Sequence, residues 1–122
     1  MMHPLDELTT QLHKADLACH LETSGSHSFT GTWDWVCLSP KKFKAPLTES
    51  LQKADELKVV VYHPSDFAWA EQYAAVVNVE CKLYLQPEWS KADSITPLLV
   101  NYIKENPKWE LSLQLHKYMN VP

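Results

Sequence analysis

Arginine is missing from this chain, and all 11 basic residues are lysines. A bidentate guanidinium clamp on a carboxylate or phosphate is therefore excluded. Glycine is scarce, with Gly25 and Gly31 the 2 present. Phosphate cradles need glycines at fixed offsets, and this pair fits neither the P-loop nor the dinucleotide-binding fingerprint. Positive charge is in deficit, 11 against 15 acidic residues, for a net charge of -4. That removes the electrostatic footprint of nucleic-acid binding. No stretch approaches the roughly 20 apolar residues of a spanning helix. No basic segment followed by an apolar run opens the chain, so neither a membrane partner nor a signal peptide is expected.

Cysteine is limited to Cys19, Cys37 and Cys81. The number is odd and the spacings match no CxxC pair or zinc pattern. Each lies in an apolar run that reads as a strand, so reduced thiols of a cytoplasmic protein are expected. What is present is ordinary: 122 residues, 45% hydrophobic and 21% charged. That length and balance predict a single domain over residues 1–122 with one real core.

Leu5, Leu8, Leu12 and Ala15 recur at helical spacing, with Pro4 at a first helical position and Asp6 and Glu7 in a first turn. Leu17 to Glu22 reads as a strand, Thr23 to Thr32 as a loop holding both glycines, and Trp35 to Leu38 as a second strand. A short helix is predicted from Thr48 to Ala54, with Leu47, Leu51 and Ala54 facing inward. Leu57 to Tyr62, rich in β-branched residues, reads as a strand buried on both faces. Ser65 is a candidate N-cap for a helix carrying Trp69, Tyr73, Val76 and Val77 on one face. Cys81 to Leu85 is a fourth strand. Asp93 is the candidate N-cap of a helix through Ile103, with Pro97 in its first turn and Asn106-Pro107 as its stop. Trp109 to Leu115 is a fifth strand.

Alternation of helix and strand predicts an α/β fold of about five parallel strands with covering helices. Residues with chemical capacity collect where the strands end: Glu22-Thr23-Ser24, Ser39-Pro40-Lys41, Tyr62-His63, Gln86-Pro87-Glu88, and Gln114 with His116. Ligands bind at that rim in parallel α/β sheets and (β/α) barrels. A closed eight-stranded barrel takes about 250 residues, and the chain opens directly into a helix without a strand before it. It reads as the back part of something longer.

Several stretches, in order, carry a resemblance: Leu21-Glu22-Thr23-Ser24-Gly25, Trp35-Val36-Cys37-Leu38-Ser39-Pro40-Lys41, Ala54-Asp55-Glu56-Leu57-Lys58, Leu85-Gln86-Pro87, and Leu111 through Tyr118. Together they resemble 7-carboxy-7-deazaguanine synthase, a radical S-adenosylmethionine lyase, over the whole chain. The resemblance implies a partial (β/α) barrel of the radical S-adenosylmethionine type. It implies a 4Fe-4S cluster, S-adenosylmethionine and magnesium, and the conversion of 6-carboxy-5,6,7,8-tetrahydropterin to 7-carboxy-7-deazaguanine in queuosine biosynthesis. By the same matching, Ser39, Pro40 and Lys41, and a second segment of Gln86, Pro87 and Glu88, fall on the S-adenosylmethionine site. Glu22, His116 and the terminal Pro122 fall on the pterin site. The family's CxxxCxxC motif and its GGEP segment are absent from this sequence.

The bland readings stand beside these. Glu22 alone is a loop carboxylate at a strand end, and Lys41 one member of a solvated basic loop with Lys42 and Lys44. His3, His13, His20, His27 and His63 share no metal-ligand spacing. His20 shares a strand face with Glu22 and is read as structural. The tryptophans read as packing, with Trp89 beside Glu88 the one placed near an adenine. Two functions follow: part of a 7-carboxy-7-deazaguanine synthase site, or a non-catalytic nucleoside- or pterin-binding or interaction module. An unprotected first strand predicts a homodimer or other self-association.

Overall fold

Leu57, Val59 and Val61 are fully buried, while Glu56, Lys58 and Val60 between them are half-buried. Successive strand side chains point to opposite faces, so this strand sits in a sheet with one sealed face and one open face. The computed structural model describes residues 4–15 and 18–112. Its strands are β1 (His20–Thr23), β2 (Trp35–Leu38), β3 (Glu56–Val61), β4 (Lys82–Pro87) and β5 (Trp109–Leu111). They pair in parallel, in chain order, as one sheet. Its helices are α1 (Pro4–Lys14), α2 (Thr48–Lys53), α3 (Asp66–Ala74) and α4 (Ala92–Glu105). No helix among the described residues is long and apolar enough to cross a membrane.

The sealed face carries Leu38, Leu57, Val59, Val61, Leu85 and Trp109, packed against Leu51, Ala70, Ile95 and Leu99 of the helices. Each such aliphatic side chain contributes about 1.5–3 kcal/mol by leaving water. Register places His20, Glu22, Trp35, Cys37, Glu56, Lys58, Tyr84 and Gln86 together on the opposite face. That face is polar because it is where the strands meet solvent and the site rather than the helix layer.

Several local readings are corrected. β3 is not buried on both faces: Lys58 and Glu56 occupy positions that a fully covered strand would give to apolar residues. β1 begins at His20 rather than Leu17, and Asp16 and Leu17 lie outside the described residues. Leu47 does not turn inward but is 38% exposed. Ser65 precedes α3 but makes no capping bond. Asp66, the first residue of α3, instead accepts hydrogen bonds from the amides of Tyr62 at 2.8 Å and His63 at 3.1 Å, which lie before the helix, and so closes the turn that leads into it. Asp93 is a first-turn residue, not the cap, because α4 starts at Ala92 behind a 3-10 turn over Trp89–Lys91. Pro97 therefore falls in the second turn, where its missing N–H leaves a helical bond unmade. The fifth strand is described to Leu111, and the Ser112 amide continues its ladder to the Leu85 carbonyl at 2.9 Å.

Candidate functional site

Parallel pairing aligns the carboxyl ends of the strands, and four of them meet at one cleft. It has a volume of about 350 Å³ and is lined by Glu22, Thr23, Ser24, Ser39, Lys41, Lys58, Val60 and Gln86. Glu22 comes from β1, Ser39 and Lys41 from the loop after β2, Lys58 and Val60 from β3, and Gln86 from β4. Ser39 is buried, and its amide donates to the Thr23 carbonyl at 2.8 Å, tying the first two strand ends together. Gln86 is buried and accepts a hydrogen bond from the Ser112 hydroxyl at 3.3 Å. Lys58 Nζ lies 2.9 Å from Glu22 Oε1.

Gly25 shapes the wall of this cleft. It has φ +72, and its carbonyl accepts from the Leu47 amide at 2.7 Å. That bond folds the Lys41–Pro46 loop back against the end of β1. Lys41 and Lys44 form an isolated antiparallel bridge, so the loop is a tight turn with Phe43 89% exposed at its tip.

A second cleft of about 340 Å³ adjoins the first, sharing Lys41 and Val60, with Pro40, Lys42, Phe43, Tyr62 and Trp69 completing it. The Lys42 ammonium stands 5.6 Å from the Tyr62 ring centroid and 5.7 Å from that of Trp69, and it pairs with the buried Asp66. Burial works to raise the Asp66 pKa, but the Lys42 bond and the Tyr62 and His63 amides outweigh it and hold the carboxyl below its ordinary value. Asp66 thereby joins the loop after β2 to the loop after β3.

Of the residues singled out in the sequence, Glu22, Ser39, Lys41 and Gln86 are brought together in the first cleft. Pro40 lines the second. Pro87 is buried and pairs with Val61 on the sealed side, and Glu88 is held by bonds to the Val61 carbonyl and the Ser90 hydroxyl. Neither lines the two clefts. His116 and Pro122 lie outside the described residues. Trp89, 41% exposed at the start of the 3-10 turn, lines neither cleft; Trp69 lines the second. Tyr62, named with His63 at the end of the third strand, lines the second cleft, whereas Lys58 was not singled out as a site residue. The signal for Lys58 was available: it is the charged residue inside an apolar strand, two positions before Val60.

Burial alone would lower the Lys58 pKa, but the hydrogen bond to Glu22 and the nearby Cys37 and Glu56 raise it above its ordinary value. Two ammonium groups, one carboxylate, a buried amide and three hydroxyls thus face one volume. Such a set can hold a polar ligand with both an anionic group and a hydrogen-bonding edge. The three cysteines do not gather. Cys37 lies on the open face in β2, while Cys19 and Cys81 precede β1 and β4 at the other end of the sheet. Among the described residues they do not fit an iron-sulfur cluster, which takes several thiolates at one point.

No protein-family model matches the chain. It is 52% identical over 115 residues to a 7-carboxy-7-deazaguanine synthase of Flavobacterium psychrophilum, covering 94% of this chain and 55% of that one. It is 41% identical over 121 residues to a protein of the same name from Synechocystis, covering 99% of this chain and 58% of that one. The crystal structure of QueE from Escherichia coli superposes with a TM-score of 0.78 at 29% identity, over 92% of this chain and 51% of that one. The fold is thus that of the radical S-adenosylmethionine type, and the chain spans about half the length of the curated relatives it matches.

Proposed function

Because the chain is a homologue of the 7-carboxy-7-deazaguanine synthases over about half their length, we propose that its rim cleft is part of an S-adenosylmethionine and pterin site. The reading rests on one observation: Glu22, Ser39, Lys41, Lys58 and Gln86, from four consecutive strands, line one cleft at their carboxyl ends. In this reading the Lys41 ammonium receives the carboxylate of S-adenosylmethionine, and the Ser39 hydroxyl and Gln86 amide face its ribose. Glu22 accepts from the N–H edge of a pterin, held in place by Lys58. His116 and Pro122 are proposed to complete the pterin site. The whole enzyme would convert 6-carboxy-5,6,7,8-tetrahydropterin to 7-carboxy-7-deazaguanine in queuosine biosynthesis.

S-adenosylmethionine fits the donors and acceptors of the cleft, and when bound it supplies the adenosyl group of the chemistry. The described residues do not supply ligands for the 4Fe-4S cluster. The scattered cysteines favour a second reading for the chain by itself, that of a nucleoside- or pterin-binding module without radical chemistry. Equilibrium dialysis of the 122-residue chain against labelled S-adenosylmethionine tests the cleft. Saturable binding weakened about tenfold or more by Lys41→Ala supports it. Absent binding, or binding indifferent to Lys41→Ala and Glu22→Gln, overturns it.

A further inference from the structure

Opposite the cleft, at the amino ends of the strands, three ligand-bearing side chains converge from separate segments. His13 comes from the last turn of α1, Cys19 immediately precedes β1, and Asp34 immediately precedes β2. One candidate ligand atom from each lies within 4.8 Å of the other two. His13 Nε2 is 3.0 Å from Asp34 Oδ2, and the same carboxylate accepts the Cys19 amide. Cys19 is buried, His13 half-buried and Asp34 exposed.

The three donors are an imidazole, a thiol and a carboxylate, brought to one point from three separate segments of the chain. Zinc is bound by cysteine sulfur at ~2.3 Å and by histidine nitrogen and carboxylate oxygen at ~2.0–2.2 Å. In a tetrahedron such bonds set the ligand atoms ~3.3–3.8 Å apart, so the thiol approaches by up to about an ångström while the His13–Asp34 pair, at 3.0 Å, opens slightly. That movement is small for one exposed and one half-buried side chain. The donor set also selects the cation. Magnesium and calcium take oxygen ligands, whereas thiolate with imidazole suits zinc and its neighbours.

We propose that His13, Cys19 and Asp34 form a three-ligand site for a zinc-class divalent cation, with solvent as the fourth ligand. On binding, the Cys19 thiol gives up its proton to solvent, His13 ligates as neutral imidazole, and no electron changes hands. The cation fastens the end of α1 to the entries of β1 and β2. It acts on stability rather than on the cleft, which lies at the far ends of the same strands. The inference does not depend on the proposed function.

Cobalt(II) is the probe, because a thiolate ligand gives it a charge-transfer absorption that nitrogen and oxygen ligands do not. Titration of the chain should show one equivalent of tetrahedral cobalt with that absorption, displaced by zinc, and zinc should raise the melting temperature. Cys19→Ser should abolish the band, His13→Ala and Asp34→Asn should each weaken binding at least tenfold, and the double variant Cys37→Ser/Cys81→Ser should keep both. A missing band, a band that survives Cys19→Ser, or affinities unmoved by both His13→Ala and Asp34→Asn overturns the site. If circular dichroism shows Cys19→Ser unfolded, the His13 and Asp34 variants decide.

Discussion

Lys58 reaches across β2 to place its ammonium 2.9 Å from the Glu22 carboxylate, linking the first and third strands on the open face. The Glu22 side chain is 68% exposed and that of Lys58 23%, so the pair contributes less than about 1 kcal/mol. Its larger effect is to orient Glu22. Lys58→Met should leave the melting temperature near that of the parent and, on the proposed function, weaken pterin binding about tenfold in calorimetry. The raised Lys58 pKa adds a pH signature. A lysine stabilised in the fold contributes below its unfolded value of 10.5 and loses that contribution as pH rises through its folded value. Alkaline titration above pH 10.5 should therefore destabilise the parent more than Lys58→Met, and equal slopes would contradict the assignment.

Asp66 carries more stability than the exposed pair, since it is buried, holds two backbone amides and meets Lys42. Asp66→Asn should cost about 2 kcal/mol, in the range of hydrogen bonds to a charged group. It should also loosen the Lys41–Pro46 loop, which is anchored through Lys42. The carboxyl titrates below its ordinary 3.8 in the fold. Its contribution is complete above that value and is lost as pH falls through the folded pKa. Urea denaturation below about pH 4 should thus show a steeper loss of stability in the parent than in Asp66→Asn. Parallel acid limbs would remove Asp66 from the account.

Most of the element order was readable because the periodicities were strong. Trp35–Leu38 appears with the same bounds, and Asn106-Pro107 stops α4 where expected. The rim of polar strand ends was readable too, since parallel order alone puts Glu22, Ser39, Lys41 and Gln86 on one side. Depth was not. An apolar run such as Leu57–Tyr62 cannot say which face the helices cover, and Lys58 was passed over for that reason. Asp66 was passed over because its partners, the Tyr62 and His63 amides and Lys42 of another loop, leave no local sequence signal. The His13, Cys19 and Asp34 cluster has no local spacing and exists only once α1 folds back on two strand entries.

Gly25 is where the cleft tolerates least. Its φ of +72 is costly for any residue with a Cβ, and a Cβ there would stand 2.7 Å from Leu38 Cδ1 and 3.0 Å from Pro46 Cβ. Leu38 is fully buried and Pro46 half-buried, so neither yields easily. Backbone strain and overpacking together make Gly25→Ala cost about 2–4 kcal/mol. The same substitution at an exposed, negative-φ position would cost a fraction of that. Chemical denaturation of Gly25→Ala reads the difference, and a loss under about 0.5 kcal/mol would mean that the turn has room for a Cβ.

The cysteines should be slow to react in the folded chain. Burial, reinforced by the charge of Glu56, pushes the Cys37 thiol up to about 12. Burial, with Asp55 and Glu56 behind it, pushes Cys81 up to about 11. Burial and Asp34 also raise Cys19. The thiolate is the nucleophile, so at about pH 8 Cys37 offers about one reactive molecule in ten thousand, against roughly a quarter for an unperturbed thiol. Labelling with an aromatic disulfide reagent at about pH 8 should be at least a hundredfold slower for the folded chain than in urea. Glu56→Gln should accelerate Cys37 in particular, because it removes the second-largest cause while leaving burial in place. Labelling of the folded chain at the rate seen in urea would show that the burial of these thiols does not persist in solution.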